Sequence, residues 1–126
     1  GAVSAVYGAE VTVATVAGPV RGQWLPSNGP LPSAGDRVTC SVRPESVSVA
    51  GVGEPRSPGQ NCLAARLVSS MYVGSQEEFV LELTADGAAA PVRMKAVVSN
   101  PGKVVRQIGH AVDVVFDPSD VVVLAQ

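Results

Sequence analysis

The residues with the clearest chemical potential lie near the end of the chain, within VRQIGHAVDVVFDPSDVVVLAQ at residues 105–126. His110 is the only histidine, and Asp113, Asp117 and Asp120 follow it closely. An imidazole beside carboxylates can serve as a general acid and base, or it can hold a metal ion. The first question is therefore whether this stretch is an enzyme site or a structural element.

The pattern around these residues favours a structural element. Apolar side chains alternate along residues 111–116, as they do on a half-buried strand, and VVVLA follows the Asp-Pro-Ser-Asp sequence. Aspartate and proline are typical of turns. His110 follows Gly109 in a turn, and no nucleophile-elbow pattern accompanies it. We therefore predict a β-hairpin with an aspartate-rich corner and no catalytic or metal site.

Nucleotide chemistry has no support in this sequence either. A phosphate-binding loop requires G-x-x-x-x-G-K-[ST], whose backbone amides surround the phosphates. Gly102-Lys103 is the single Gly-Lys pair, but Val104 follows it and Val97 stands where the first glycine should be. We expect a chain that is not an enzyme, with no cofactor of its own.

Charge and aromatic content argue against a nucleic-acid partner. The net charge is −2, and aromatic residues make up 4% of the 126 residues. A nucleic-acid-binding OB fold needs a basic groove and exposed stacking rings. Trp24, Phe79 and Phe116 lie in apolar strand contexts, so we predict that they belong to the core.

Neither the start of the sequence nor the cysteines indicate an exported protein. The opening GAVSAVYGAE has no basic region, long apolar segment or cleavage site of a secretory signal. Cys40 and Cys62 form neither a CxxC motif nor a disulfide framework, so we predict that both are reduced. No apolar run approaches the ~18 residues of a membrane span.

Short alternating runs separated by glycine and proline predict an all-β chain. EVTVATV and PVRGQWL read as a strand pair, and RVTCSV and ESVSVAG follow as further strands. Residues 62–68 have partly helical spacing, but the run is short and uncapped, so we favour a strand. The low-pattern segment GVGEPRSPGQ suggests a division into a first lobe at residues 1–50, a linker at 51–61 and a second lobe at 62–126.

Four pieces of sequence occur in the order known from one family. They are Gly35-Asp36 with Val38, Arg43-Pro44-Glu45, Gly74-Ser75 and Pro118-Ser119-Asp120. In this arrangement the chain resembles the C-terminal TOBE region (transport-associated OB domain) of the ATP-binding subunits of bacterial ABC importers, the group with maltose, ferric-iron and polyamine importers. The similarity covers residues 8–126.

The resemblance implies a fold of two fused, OB-fold-like small barrels. It also implies a non-catalytic domain that follows the nucleotide-binding domain of the same chain, where ATP and Mg²⁺ bind. The expected partners are that domain, a second copy in a homodimer, the membrane permease subunits and a small-molecule or protein effector. The expected location is the cytoplasm, peripheral to the inner membrane through the transporter.

A second relative of the same superfamily, the molybdate-binding Mop type, suggests an alternative function. There a SARN-x-x-x-G-like opening helps to form an oxyanion site. SPGQNCLAARL retains Ser57 and Asn61, but Ala65 stands where the glycine is expected. The added methyl group would obstruct close backbone approach to the anion.

The working surface of a non-catalytic β domain is expected on its loops, where binding residues sit on a rigid scaffold. We therefore predict an interaction surface on three turns of the chain. Its candidate residues are Arg43, Glu45, Gly74, Ser75, Asn100 and Lys103.

Overall fold

The computed structural model describes residues 1–53, 59–84, 92–99 and 108–126, and these residues form an all-β fold. The strands are β1 (Ala2–Tyr7), β2 (Glu10–Thr15), β3 (Gly18–Trp24), β4 (Val38–Val42), β5 (Ser48–Gly51), β6 (Asn61–Val73), β7 (Gln76–Leu83), β8 (Val92–Ser99), β9 (Ala111–Phe116) and β10 (Val121–Ala125). Short 3-10 turns occupy Pro26–Asn28, Pro44–Ser46 and Pro118–Asp120. The prediction of strand over helix at residues 62–68 is confirmed, since they lie within β6.

The strands form two five-stranded sheets. The first has the order β1-β2-β3-β10-β4, and the second has the order β5-β9-β6-β7-β8. Backbone hydrogen bonds join the outer strands of the first sheet, from the Val3 N–H to the Asp36 carbonyl (2.9 Å) and from the Val38 N–H to the Gly1 carbonyl (2.9 Å). The first sheet therefore curls into a small barrel, in agreement with the predicted OB-like architecture.

The two halves of the chain repeat the same order of elements and exchange their last strands. Three antiparallel strands, a fourth strand, a proline turn and a fifth strand make up each half. β5 of the first half lies in the second sheet, and β10 of the second half lies in the first. Each sheet therefore contains one strand from the other half of the chain, and the division into lobes at residues 1–50 and 62–126 stays a prediction.

The prediction of a β-hairpin at the end of the chain is wrong. β9 pairs with β5 and β6 in the second sheet, whereas β10 pairs antiparallel with β4 and parallel with β3 in the first. The turn at Pro118–Asp120 thus directs the chain from one sheet to the other. A turn sequence specifies a local change of direction, but it does not specify the strand that the next segment joins.

The two proline turns that carry these crossings have nearly the same geometry. The Ser46 N–H donates to the Arg43 carbonyl at 2.9 Å, and the Asp120 N–H donates to the Asp117 carbonyl at 3.0 Å. Each turn ends on a buried valine, Val47 or Val121. The segments VRPESVSVA and FDPSDVVVL are the sequence counterpart of this structural repeat.

Two clusters of buried apolar side chains stabilise the sheets. The larger lies within the second sheet and includes Leu67, Phe79, Leu81 and Phe116. Its other buried members, some of them from the first sheet, are Val20, Val47, Leu63, Ala65, Ala96, Val112, Val114 and Val121. The smaller core lies in the first sheet and consists of Val3, Val11, Val13, Trp24, Val38 and Val123. β10 contributes to both cores, so the exchanged strand links them.

The prediction that the three large aromatic side chains belong to the core is confirmed. Trp24, Phe79 and Phe116 are all buried. Across the described ranges, no helix is long and apolar enough to cross a membrane.

Candidate functional site

The first candidate turn is the crossing between β4 and β5. Arg43 precedes the 3-10 turn and Glu45 lies within it, and both side chains are exposed. Within the described ranges, the two side chains form no ion pair with each other. The Pro44–Ser46 turn packs against β8, so the backbone is held in place while the two charges face solvent.

The second candidate turn is the tip of the β6–β7 hairpin. Gly74 has a φ of 62°, a left-handed conformation that glycine adopts without strain, and Ser75 is exposed beside it. The exposed fractions of the preceding side chains are 59% for Met71, 68% for Tyr72 and 49% for Val73. We call Met71–Ser75 the apolar tip. Because side chains alternate along a strand, Met71 and Val73 share one face of the hairpin and Tyr72 lies on the other.

These candidate residues belong to two separate elements, one crossing between sheets and one hairpin tip. β8 is adjacent to both, because it packs on the Pro44–Ser46 turn and its Ser99 pairs with Gln76 next to the tip. Asn100 and Lys103, the third candidate turn, lie outside the described residues.

His110 immediately precedes β9, and the three aspartates are spread along β9 and the turn that follows it. His110 is exposed, and its carbonyl accepts a hydrogen bond from the Leu67 N–H (3.1 Å). The Asp113 carboxylate, within β9, accepts a hydrogen bond from the Gly53 N–H (3.4 Å). No group of three or more potential metal ligands occurs among the described residues.

Asp117 has a structural role in the second crossing. Its carboxylate accepts hydrogen bonds from the backbone N–H of Ser119 (3.0 Å) and from the Ser119 hydroxyl (2.8 Å). These bonds, first the backbone one and then the hydroxyl one, lower the pKa of the Asp117 carboxyl, and the charge of Arg21 lowers it further. The carboxylate therefore stabilises the turn in its ionised form.

Asn61, which the Mop-type alternative would place in an oxyanion site, joins the two sheets instead. Its Oδ1 accepts from the Arg21 N–H (2.9 Å) and its Nδ2 donates to the Arg21 carbonyl (2.8 Å). The side chain is 4% exposed, so both ends of its amide are used in a buried setting. Ala65 is also buried, at 3% exposure.

A cleft between the sheets is the feature that sequence reasoning missed. It has a volume of about 960 Å³ and is lined by apolar side chains of both sheets. Arg37, Arg93 and Lys95 are its charged residues. The alternation of Arg93 and Lys95 along one strand was visible in the sequence, but the approach of Arg37 depends on how the barrels pack.

The thiol of Cys40 forms part of the wall of this cleft. It is half-buried, and burial raises its pKa above the ordinary value, opposed in part by the charge of the chain's amino terminus. Cys40 and Cys62 form no disulfide. The raised pKa keeps the Cys40 thiol protonated and slow to react near neutral pH.

The structure is therefore that of an all-β domain of two linked small barrels with charged, exposed turns. The chain belongs to the TOBE domain family, whose model matches residues 40–124. The family resemblance predicted from the sequence motifs is thereby confirmed.

One relative of known name is the spermidine/putrescine import ATP-binding protein PotA of Rubrobacter xylanophilus (strain DSM 9941 / JCM 11954 / NBRC 16129 / PRD-1). The two are 31% identical over 108 residues, which is 83% of this chain and 27% of that protein. The chain thus spans about a quarter of the length of this relative.

Among solved structures, the fold is similar to that of the cytoplasmic molybdate-binding protein ModG in a molybdate-bound crystal form. The TM-score is 0.79 at 20% sequence identity, over 100% of this chain and 93% of that chain. At this level of identity the likeness concerns the fold, and it confirms the predicted architecture of two small barrels.

Proposed function

We propose that this chain is a non-catalytic regulatory and dimerisation domain of an ABC importer ATP-binding subunit. The observation that carries the proposal is the TOBE family match over residues 40–124, together with the similarity to a polyamine-import ATP-binding protein. The domain contributes to the pairing of the ATP-binding subunits and to the regulation of solute transport. ATP and Mg²⁺ bind to the nucleotide-binding domain, which this chain does not contain.

The partners follow from that role. The domain contacts the nucleotide-binding domain of its own subunit, a second copy of itself, and a small-molecule or protein effector. It reaches the permease subunits through the complete transporter, so its location is cytoplasmic and peripheral to the inner membrane. Nucleic acid is not among its partners, because the chain combines a net charge of −2 with few exposed aromatic rings.

The apolar tip supports pairing with a second copy. The outer strands of the first barrel form backbone hydrogen bonds with each other. Pairing of their edges with a second copy is therefore not the best route to a dimer there. Met71, Tyr72 and Val73 instead offer side chains that a partner could cover. Gly74 and Ser75 form the turn next to these side chains.

The experiment is removal of this domain from the intact ATP-binding subunit, followed by sedimentation velocity. The account expects the full-length subunit to dimerise and the shortened subunit to shift towards monomer at the same concentration. Retained ATP binding by the shortened subunit is the control for folding. A shortened subunit that dimerises as well as the full-length one contradicts the dimerisation role.

A second candidate function is oxyanion binding of the Mop type, which the structural similarity to ModG favours. Two features weaken it in this chain. The Asn61 amide already bonds with the Arg21 backbone, and the buried Ala65 replaces the glycine expected beside the anion.

Thermal unfolding distinguishes the two functions. A ligand present at a hundred times its dissociation constant adds about 2.7 kcal/mol to the stability of the state that binds it. Melting is measured with molybdate, sulfate, phosphate and ferric iron in turn. A saturable shift with one oxyanion supports the Mop-type function, and no shift with any of them supports the protein-facing role.

A further inference from the structure

The cleft between the sheets has the chemical character of a binding site for a small organic anion. Its volume of about 960 Å³ is at the upper end of the ~300–1,000 Å³ typical of small-molecule sites. Such sites are mostly apolar, contain a few polar groups and often lie between domains. Here one wall comes from the first barrel and the other from the second.

Part of the cleft lining consists of buried apolar side chains. Val20 and Val121 come from the first sheet, and Leu63 and Phe116 come from the second. All four are buried members of the larger core. Met94, which is partly buried, extends this surface along β8, where it alternates with Arg93 and Lys95.

The charged side chains of the lining have one sign. Arg37, Arg93 and Lys95 are present, and no aspartate or glutamate lies among the described lining residues. This contrasts with the whole chain, in which acidic residues outnumber basic ones by 11 to 9. An excess of cations over a low-dielectric wall attracts anions.

These cations are largely unneutralised. Within the described part of the chain, the side chains of Arg37 and Lys95 make no hydrogen bond or ion pair. The Arg93 guanidinium lies 3.9 Å from Glu82, whose carboxylate lies closer to Arg66, at 3.3 Å. A long, exposed pair of this kind contributes little and leaves Arg93 available for another anion.

We propose that the cleft binds a small organic carboxylate with an apolar body, whose carboxylate meets the three cations while its hydrocarbon part lies on the apolar wall. The binding itself is a property of this chain. Its meaning as an effector site for a transporter rests on the proposed function.

The probe is octanoate, below the concentration at which it forms micelles, titrated calorimetrically into the 126-residue chain. The proposal expects saturable binding of octanoate and much weaker binding of octylammonium and of acetate. The first comparison tests the sign of the charge and the second tests the apolar wall. Octylammonium that binds as well as octanoate, or acetate that binds as well as octanoate, overturns the proposal.

Substitution separates the cleft from general charge effects. Lys95→Met with Arg37→Met should weaken octanoate binding about tenfold or more, as expected for loss of hydrogen bonds to a charged group. Arg43→Met removes one positive charge outside the cleft lining and should leave the affinity unchanged. Equal losses in the two variants contradict the assigned location.

Cys40 provides a second measurement that does not depend on heats of binding. In a Cys62→Ser variant, octanoate should slow the reaction of Cys40 with iodoacetamide, because the ligand covers the wall that contains the thiol. An unchanged rate at a saturating octanoate concentration overturns the proposal. If octanoate does not bind, the outcome of the sedimentation experiment on subunit dimerisation is unaffected. The two proposals are therefore tested separately.

Discussion

Gly22 of β3 lies directly against Val121 of the exchanged strand β10. A Cβ atom at position 22 would be 2.6 Å from Val121 Cγ1 and 2.9 Å from Val123 Cγ2. Contacts this short require the structure to shift. The parallel contact between β3 and β10, and therefore the crossing that links the halves of the chain, depends on the absence of a side chain at this position.

Gly22→Ala should destabilise the fold by about 1–3 kcal/mol, the range for overpacking a tightly packed core. The measurement is urea unfolding followed by Trp24 fluorescence. The double variant with Val121→Ala should lose less than the sum of the two single changes, because the smaller side chain relieves the contact. Additive losses would show that position 22 does not contact Val121.

Asn61→Leu should destabilise the fold by about 1–3 kcal/mol for each backbone group of Arg21 that loses its partner. The buried amide joins the start of β6 to β3, so the loss should appear in the unfolding of both barrels. Gln60→Leu is the matched control, since Gln60 makes no hydrogen bond with the described residues. Equal effects of the two changes would contradict the bridging role of Asn61.

Asp117→Asn should alter the acid dependence of stability. The folded-state pKa of Asp117 is lowered below its ordinary value of 3.8, so the ionised carboxylate stabilises the fold above that pH. This contribution is lost as the pH falls through the lowered folded-state pKa. The wild-type stability advantage over Asp117→Asn should therefore be present at pH 6 and diminish on acidification.

Asp120→Asn is the matched control for the loss of one carboxylate in the same turn. Thermal unfolding at a series of pH values from neutral to strongly acidic gives the comparison. A wild-type advantage over Asp117→Asn that is constant across this range would rule out the ionised cap.

Tyr72→Ser combined with Met71→Ser should weaken self-association without unfolding the domain. Both side chains are largely exposed, so the change in stability should stay within about 0.5 kcal/mol. Light scattering at high micromolar concentration should show dimer in the wild type and more monomer in the variant. Val52→Ser removes another exposed apolar side chain, away from the tip, and should not change the association.

Local pattern predicted the strands, but the sheet that each strand joins depends on contacts distant in sequence. Alternation of apolar residues predicted the segments of β2, β3 and β10, whereas β1 was not predicted. The Asp-Pro-Ser-Asp turn was recognised, yet the strand after it pairs with Val38–Val42, some eighty residues earlier. The absence of a side chain at Gly22 permits the close approach of Val121 and thereby favours this pairing.

The candidate surface was predictable to the extent that it lies on turns. Arg43 and Glu45 occupy an exposed crossing, and Gly74 and Ser75 occupy an exposed tip, because proline and glycine specify such positions locally. The cleft could not be predicted, because its two walls meet only after the barrels exchange strands. The buried role of Asn61 was hidden for the same reason, since its partner Arg21 is 40 positions away.

We propose that this domain regulates an importer ATPase and does not perform the hydrolysis. The most direct measurement is the ATPase rate of the assembled transporter, with and without transported solute, for the full-length ATP-binding subunit and for one lacking this domain. The account predicts that the shortened subunit still hydrolyses ATP while its response to solute or effector changes. An unchanged response, together with unchanged assembly, would contradict the regulatory function.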